Sequence, residues 1–358
     1  MLIVTASVGE GHDLPARTLS AQLGDERPGV EVVTEDGLVA MGRLITAFSE
    51  SGARLVFFRV LWLWDLTFWL FARFPPARGF GKLLLDRIGG RGMLRLVRAV
   101  DPDVVVSVYP ESTEVLGWLR RTGRLDVPVV AAVTDLAAMH YWAARGVDLH
   151  LVTHPESIDE VRQVAGTETE IRCVHGLTAP EFVLPREPAE ARRSLGLPDG
   201  KVVLVSGGGW GVGDLESAVD VALGLEQVAL IVCLCGRNDE LRARLERRYA
   251  GERRVRVEGF TDRMNDWLAA GDALVHSTGG LTVLEAHIRG CPTISYGWGR
   301  GHIRLNNRAF RRFGLAEVAA TRKELQAALA RALAARHAPD LSFAAFPTAA
   351  SIVLALFQ

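Results

Sequence analysis

Short, almost uninterrupted apolar runs alternate with helical patterns along nearly the whole chain, and this alternation restricts the possible folds more than any single motif. Runs rich in β-branched residues at this length are typical of parallel strands covered on both faces. The helical segments between them predict right-handed βαβ units. The predicted strands are LIVTA (2–6), VEVVTE (30–35), DVVVSVY (103–109), VPVVAAV (127–133), DLHLVT (148–153), EIRCV (170–174), KVVLVS (201–206), VALIVCLC (228–235), RVRVEG (254–259), ALVHS (273–277) and PTISY (292–296).

The pattern occurs twice, on either side of a proline-bearing link, LTAPEFVLPREPAE. It predicts an α/β fold with two doubly wound, Rossmann-like domains that face a central cleft. We expect the first domain at 1–180, the second at 190–335, and a C-terminal helix within 336–358 that packs back on the first domain. Because ligands of such folds bind at the carboxyl ends of the strands, the cleft is the expected site.

Composition excludes several classes of protein. The 358 residues are 49% hydrophobic and 23% charged, which is an ordinary globular composition. A net charge of -1 argues against a general nucleic-acid binder, which needs a basic surplus to displace counterions. The four cysteines include no CxxC pair, and the N-terminus has no basic region before an apolar stretch. We therefore expect a cytoplasmic protein with reduced thiols.

The first strand is followed by the glycine-bearing stretch ASVGEGHDLPA, which contains His12. Asp13 is predicted to be a helix N-cap, with Pro15 near the first helical position. A histidine between a strand and a helix lies where α/β proteins bind ligands. The alternative interpretation is a surface-loop histidine beside a helix cap.

The second half opens with a similar arrangement, SGGGWGVGD, between a strand and a helix capped near Asp214. Glycines allow close approach of a ligand to the backbone, and bare N–H groups at a helix start favour phosphate. The stretch lacks the Gly-Lys-Ser/Thr of a P-loop and the spacing of a dinucleotide fingerprint. It therefore predicts either a phosphate-binding turn or a glycine-rich turn without a ligand.

A third turn, Ser277-Thr278-Gly279-Gly280, lies between a strand and a helix that carries Glu285. The start of this helix is again suited to an anionic group. Glu285 could accept two hydrogen bonds from a ribose diol, or it could be a solvated acid on a helix. The loop YGWGRGH brings Arg300 and His302 beside the predicted cleft.

Taken in order, TASVGEGH, VTDLAAMHYW, SGGGWGVG, LCGRNDELRARLE, VEGFTDRMNDWLAAGDALV and STGGLTVLEAHIRGCPTI resemble the monogalactosyldiacylglycerol synthases. They also resemble the bacterial processive diacylglycerol glucosyltransferases and, more distantly, the transferase that adds N-acetylglucosamine to lipid I. The resemblance covers roughly residues 1–320. It implies a GT-B fold, an inverting mechanism, a UDP-sugar donor without further cofactor or obligatory metal, and a membrane-borne acceptor.

The resemblance also implies roles for individual residues. His12 would be the general base, because a neutral imidazole can take a proton near pH 7. Asp135 would orient that base or the acceptor. The donor side would comprise Gly207, Gly208, Gly209, Ser277, Thr278, Gly279 and Gly280 at the diphosphate, Phe260 at uracil, Glu285 at ribose and His302; Gly9 and Gly11 would lie on the acceptor side.

Some stretches depart from the family pattern. GWGRGHIRLNN stands where the galactolipid enzymes carry a Pro-Gly-Gln-Glu type sequence that contacts the sugar. SVYPES replaces the Thr-His-Pro that often ends the corresponding strand, and Trp210 replaces a residue that is usually smaller or acidic. The donor sugar and the acceptor therefore stay open.

The stretch 53–84 is the most hydrophobic part of the chain. Arg59 and Asp65 interrupt it, and each charge near a bilayer centre would cost about 2.5–3.5 kcal/mol, which argues against a spanning helix. Trp62, Trp64 and Trp69, with flanking arginines, suit an interfacial helix on the acceptor side. The alternative is ordinary core packed on the first sheet.

These observations predict an inverting transferase of a hexose or N-acetylhexosamine from a UDP-sugar to a diacylglycerol-like hydroxyl. The expected location is peripheral, on the inner face of the plasma membrane. One alternative is a glycosyltransferase for a soluble natural-product aglycone, in which 53–84 would form core or an aglycone pocket. Another is a UDP-sugar-binding protein without transfer activity, and an epimerase of the same fold matches the motifs less well.

Overall fold

The computed structural model describes residues 1–6, 10–46, 70, 74–136, 141–297, 302–334 and 337–356. The chain divides into two compact units. Unit 1 consists of Met1–Ala179, Arg300–His302 and Phe346–Gln358, and unit 2 consists of Pro180–Gly299 and Ile303–Ala345.

Unit 1 contains a six-stranded parallel sheet with the strand order β2-β1-β3-β4-β5-β6. Its strands are β1 Leu2–Thr5, β2 Val33–Asp36, β3 Val105–Ser107, β4 Val129–Val133, β5 Leu149–Val152 and β6 Glu170–Cys173. Its helices are α1 Glu10–Glu26, α2 Gly37–Met41, α3 Arg43–Thr46, α4 Pro75–Val100, α5 Pro110–Arg121 and α6 Ile158–Ala165.

The central strands β1, β3 and β4 are buried and almost wholly apolar because helices cover both faces, whereas the edge strands β2 (VTED) and β6 (EIRC) carry charged residues. Ile3 and Val106 point into a core that includes Leu19 of α1. Val4 and Val105, one residue along each strand, point into a second core beneath α2, α4 and α5. Alternate residues thus enter opposite cores, as the continuous apolar runs predict.

The start of α1 differs from the sequence prediction. The helix begins at Glu10, so Asp13 is inside it and is not its N-cap, and Pro15 is likewise internal. Proline has no N–H, which leaves the carbonyl of Gly11 without its usual helical donor. The hydroxyl of Thr134 donates to that carbonyl at 3.4 Å, and Thr5 donates to Asp13 Oδ1 at 3.0 Å. These tertiary contacts allow the helix to start before the proline.

Unit 2 contains the second parallel sheet, with the order β12-β11-β10-β7-β8-β9. The three-residue strand β12 was not predicted, because its sequence EVA has no apolar run. The strands are β7 Lys201–Ser206, β8 Val228–Leu234, β9 Val255–Glu258, β10 Ala273–His276, β11 Thr293–Tyr296 and β12 Glu317–Ala319. The helices are α7 Pro188–Leu195, α8 Leu215–Leu223, α9 Asp239–Arg248, α10 Met264–Ala270, α11 Gly280–Ile288, α12 His302–Phe313 and α13 Arg322–Ala334.

The last helix, α14 (Ala349–Ala355), belongs to unit 1. Thr348 caps it by accepting from the N–H of Ser351 at 2.9 Å. Ala350 and Val353 are buried in the same core as Leu19 and the other inward residues of α1. The C-terminal segment is therefore an integral part of the first unit.

Residues 53–69 and 71–73 of the apolar stretch, with Trp62, Trp64 and Trp69, lie outside the described part of the chain. The stretch from 74 to 84 is described and forms the beginning of α4. Within the described ranges, every helix is too short or too polar to cross a bilayer.

Candidate functional site

His12 lies in the first turn of α1, close to the carboxyl edge of the first sheet. Its Nδ1 is 3.1 Å from the carbonyl oxygen of Val108, the residue that follows β3 by one position. A carbonyl oxygen only accepts hydrogen bonds, so Nδ1 carries the proton of the neutral ring. The lone pair is then on Nε2, which is the nitrogen that can take up a proton.

Two aromatic rings hold the imidazole. Tyr109 meets it edge-on with ring centroids 4.9 Å apart, and Trp142 lies tilted against it at 5.4 Å. Burial, and then the nearby Glu111, raise the pKa of Tyr109 well above its ordinary value. The phenol is therefore neutral near pH 7. It contacts the ring of His12 and adds no charge beside it.

Asp135 follows β4 and is half-buried. Its Oδ2 accepts a hydrogen bond of 3.0 Å from the indole Nε1 of Trp142. Because Trp142 in turn packs on His12, the carboxylate is linked to the histidine through the indole. The described geometry thus brings Asp135 and His12 into one cluster at the ends of β1, β3 and β4.

The glycine loop 207–213 follows β7 in unit 2. Gly208, Gly211 and Gly213 have φ of +66°, +62° and +107°, a region that other residues rarely adopt. Gly207 is required for a different reason, since a Cβ there would lie 2.5 Å from the backbone of Gly211 and Val212. The loop therefore folds tightly on itself, with Gly208 and Gly209 partly exposed and Gly213 exposed.

The turn 277–280 packs directly on this glycine loop. The hydroxyl of Ser277 donates to the carbonyl of Val212. A Cβ added to Gly208 would come within 2.8 Å of the Thr278 methyl group, and one added to Gly213 would clash with Ser277. The two predicted phosphate-facing turns are thus in contact, at the carboxyl ends of the adjacent strands β7 and β10.

Helix starts add N–H groups to the same place. α11 begins immediately after Gly279, and α8 begins after Asp214, whose side chain accepts from the N–H of Ser217 at 3.1 Å. The first N–H groups of a helix have no acceptor within it, and the helix dipole is positive there. The unpaired N–H groups at the two helix starts, together with the tight glycine loop, form a site that suits a diphosphate.

Glu285 lies in α11 and is 7% exposed. Burial, and then the charge of Glu181, raise the pKa of Glu285 to about 8. The carboxyl group is therefore mostly protonated at pH 7, which excludes the interpretation of a solvated helix acid. A buried carboxyl group that is poised near neutral pH is typical of a functional site.

Phe260 follows β9 and is 46% exposed. The guanidinium of Arg237 lies over one face of its ring, 3.7 Å from the centroid. The backbone N–H of Arg237 donates to the carbonyl of Gly209 at 2.8 Å, which ties this platform to the glycine loop. The remaining exposed surface of the ring offers a flat apolar platform for a planar group.

The other predicted residues are placed as follows. Gly11 is exposed in α1, and a Cβ there would meet no atom within 4 Å. Gly9 and the side chain of His302 lie outside the described part of the chain. In the described ranges, no group of three or more His, Cys, Asp or Glu side chains is arranged to hold a metal ion.

A cavity of about 490 Å³ in unit 2 lies beside the glycine loop, next to Asp214. A much smaller one, of about 10 Å³, reaches the ends of β7 and β10 at Ser206, His276 and Ser277, and both are lined by Asp214 and Tyr296. Two arginines at the large cavity, Arg248 and Arg322, pair with Asp220 at 2.9 Å and 3.8 Å. The site of interest is therefore defined by the turns and not by cavity size.

Sequence reasoning missed Tyr109, Trp142, Arg237 and His276. Trp142 stands in the stretch VTDLAAMHYW with Asp135, but nothing in that stretch predicts that its indole contacts the carboxylate. Tyr109 is the last residue of one predicted strand and His276 the last but one of another, so their position at the carboxyl edge was the one signal that could have identified them. The contact of Arg237 with Phe260 joins the ends of two strands and has no signature in the sequence.

Comparison with known proteins is consistent with this geometry. Residues 12–178 match the family model of monogalactosyldiacylglycerol (MGDG) synthase. Monogalactosyldiacylglycerol synthase 1, chloroplastic, of Arabidopsis thaliana is 33% identical over 210 residues, 55% of this chain, but the match spans only 39% of that enzyme. The processive diacylglycerol beta-glucosyltransferase of Staphylococcus aureus (strain MRSA252) is 22% identical over 335 residues, which cover 90% of this chain and 82% of the relative.

Among solved structures, MurG of Acinetobacter baumannii aligns with a TM-score of 0.54 and 15% identity, covering 100% of this chain and 98% of its own. This likeness establishes the fold of two parallel-sheet α/β domains. The predicted GT-B fold class and the predicted resemblance are both confirmed. The chain has the GT-B fold, and its sequence is similar to those of the monogalactosyldiacylglycerol synthases and the processive diacylglycerol glucosyltransferases.

Proposed function

We propose that the chain transfers a hexose or N-acetylhexosamine from a UDP-sugar to the hydroxyl of a diacylglycerol-like lipid, with inversion at the anomeric carbon. The observation that carries the proposal is the contact between the glycine loop 207–213 and the turn 277–280. Two turns and two helix starts at neighbouring strand ends make a site for a diphosphate. The names of both relatives contain diacylglycerol, which supports the choice of acceptor.

The diphosphate is the leaving group in this reaction. As the bond between the sugar and the β-phosphate breaks, the electron pair and negative charge stay on the phosphate oxygen. The N–H groups of the two turns and the positive end of α11 stabilise that charge where it develops. The described residues can supply this stabilisation from the backbone alone.

The nucleoside is held by Phe260 and Glu285 in this proposal. Uracil stacks on the exposed surface of the Phe260 ring, opposite the guanidinium of Arg237. The ribose hydroxyls donate to the carboxylate of Glu285. Because burial keeps this group protonated in the unliganded chain near pH 7, binding of the ribose favours loss of its proton.

His12 is the general base of the proposed step. Nδ1 is occupied by the contact with Val108, so Nε2 accepts the proton of the acceptor hydroxyl while its oxygen attacks the anomeric carbon. Tyr109 and Trp142 restrict the ring orientation, and Asp135 holds the indole. One direct displacement of this kind inverts the anomeric configuration.

A lipid surface is supported by α4. Phe80, Leu83, Leu84 and Ile88 are exposed and fall on one face of this helix by their spacing of three and four residues. The exposed cationic side chains Arg87, Arg91 and Arg95 follow the same spacing. An apolar face bordered by cationic side chains suits the surface of an anionic bilayer. We therefore propose a peripheral location on the inner face of the plasma membrane.

The test is release of UDP from UDP-glucose, UDP-galactose and UDP-N-acetylglucosamine, each with anionic vesicles that contain or lack diacylglycerol. We expect diacylglycerol-dependent release from one donor, and a loss of about 10²- to 10⁴-fold in a His12→Ala variant. UDP binding by that variant should equal the wild-type value. Release that is independent of diacylglycerol, or an active His12→Ala variant, would contradict the proposal.

A soluble aglycone is the alternative acceptor and needs no vesicle. Turnover in detergent-free buffer with a soluble phenolic acceptor, undiminished without lipid, would support it and exclude the membrane acceptor. Tight UDP binding without turnover on either class of acceptor would instead indicate a binding protein. The same set of assays therefore separates the three functions.

A further inference from the structure

His276 is the last residue of β10, between β11 and β7 at the centre of the second sheet. It is 2% exposed, and it directly precedes the turn 277–280. The edge of its ring packs against Phe310 of α12, with centroids 5.8 Å apart. The preceding mechanism assigns no role to this side chain.

The hydrogen bonds of His276 determine its protonation. The backbone N–H of Thr278 donates to Nδ1 at 3.2 Å, and the hydroxyl of Thr278 is 3.0 Å from the same nitrogen. A backbone N–H only donates, so Nδ1 has the lone pair and Nε2 carries the proton. Burial lowers the pKa of His276 to about 4, which keeps the ring neutral near pH 7.

This contact sets the shape of the turn. The N–H of Thr278 is directed back to the imidazole, whereas the N–H groups after it, at Gly279, Gly280 and the first turn of α11, begin a helix and have no acceptor within it. The same contact holds the Thr278 methyl group against Gly208. One imidazole nitrogen therefore fixes both the direction of the Thr278 N–H and the packing of the turn on the glycine loop.

Stability alone does not explain a histidine at this position. Its Nε2 is buried and has no hydrogen-bond partner among the described residues. A buried N–H without an acceptor costs free energy, and an apolar side chain of similar shape would avoid that cost. The benefit that offsets it is the acceptor at Nδ1, which serves the turn.

We propose that His276 is a positioning residue for the donor diphosphate, acting through Thr278 to hold the turn 277–280 in its binding conformation. The inference rests on the donor site assigned above. His276 touches neither the donor nor the reacting atoms and makes its contribution through one accepted hydrogen bond. Any side chain that supplies an acceptor in the same place should preserve it.

The test compares variants of His276 that differ in the acceptor. His276→Phe keeps the ring shape against Phe310 and removes the acceptor, and His276→Leu is a second apolar replacement. His276→Asn supplies an oxygen that accepts from the N–H two residues on, as in an Asx-turn. The matched control is His150→Phe. His150 is a buried strand histidine of unit 1 whose Nε2 accepts from the N–H of Ala144 at 3.3 Å.

Calorimetric titration with UDP and steady-state kinetics are the measurements. We expect Kd for UDP and KM for the donor to rise about tenfold in His276→Phe and His276→Leu. This is the effect expected when the diphosphate loses one charge-assisted hydrogen bond from the turn. His276→Asn should remain within about threefold of wild type. KM for the acceptor should change little, whereas a general structural defect would raise it as well. The value of kcat should fall together with UDP affinity, because the N–H groups of the turn also stabilise the leaving diphosphate. His150→Phe should bind UDP as wild type does.

The imidazole ¹⁵N shifts of the unliganded protein give a second readout that needs no donor and no variant. They should report an unprotonated Nδ1 at His276; a protonated Nδ1 would overturn the inference. Wild-type UDP affinity in His276→Phe, or equal losses in the Phe and Asn variants, would overturn it while the donor site stands. Failure of the wild-type chain to bind UDP would overturn the donor site and the role of His276 together.

Discussion

Glu285→Gln is expected to make the chain more stable and a weaker binder of UDP. The carboxyl group is buried in α11, and burial raises its pKa from 4.5 to about 8. Folded chains therefore hold this proton up to about pH 8, whereas unfolded chains release it near pH 4.5. Since unfolding releases a proton across that interval, the free energy of unfolding falls as the pH rises through it.

The size of the effect follows from the two pKa values. Each pKa unit corresponds to 1.36 kcal/mol, so the wild-type chain loses roughly 4–5 kcal/mol of stability through this group between about pH 4.5 and 8. Glutamine does not titrate. The difference in the free energy of unfolding between Glu285→Gln and wild type should thus be small near pH 4.5 and reach its maximum above pH 8. Asp86, whose pKa burial raises to about 7, contributes equally to both proteins and cancels.

Urea denaturation at pH 5, 7 and 9 measures this difference, and titration with UDP at pH 7 measures the functional cost. The variant should bind UDP about tenfold more weakly, because the amide offers one acceptor oxygen where the carboxylate offers two. Glu240→Gln, an exposed replacement on α9, is the control and should follow the wild-type curve at every pH. A stability difference that does not change with pH, or one that falls as the pH rises, would refute the reasoning.

Three further perturbations test other parts of the account. Gly213→Ala should lower the free energy of unfolding, measured by urea denaturation, by more than about 1–2 kcal/mol and should weaken UDP binding. The added Cβ is strained at φ +107° and also clashes with Ser277. The control Gly251→Ala, at φ +88° in open space, should show only the backbone cost and should bind UDP normally. Asp135→Asn should reduce kcat about tenfold or more, measured by turnover, and leave UDP affinity, measured by calorimetry, unchanged. The weaker hydrogen bond to the Trp142 indole allows the His12 ring to change its orientation. An unchanged kcat would contradict this prediction. Phe80→Ser should reduce vesicle sedimentation and diacylglycerol-dependent turnover, whereas Leu184→Ser, an equally exposed apolar position in unit 2, should do neither.

The fold was predictable because its main signal is local. Nearly continuous β-branched runs such as KVVLVS coincide with β7, which spans the same six residues in the structure. The missed strand β12 has three residues, EVA, and owes its place in the sheet to pairing with β11 and not to its own sequence. The early start of α1 depends on Thr134, more than a hundred residues away, which supplies the donor that Pro15 removes.

The site was predictable in its parts but not in its assembly. Glycine-rich turns and a histidine after a strand are visible in the sequence, and the resemblance gave them roles that stay predictions. That Ser277 packs on Gly213, that Trp142 links Asp135 to His12, and that burial shifts the pKa of Glu285 are tertiary facts. They depend on which strand ends become neighbours, and the order of strands in a sheet is not written in any one segment.

The anomeric configuration of the product tests the central claim most directly. In the proposed mechanism, a single base at His12 and a diphosphate leaving group held by the two turns lead to one direct displacement. A donor with an α-linked sugar should therefore give a β-linked product, recognised from the coupling between the protons on C1 and C2 in the NMR spectrum of the product. A β-linkage formed by the wild-type chain and lost with His12→Ala is the predicted result, and an α-linked product would contradict the mechanism.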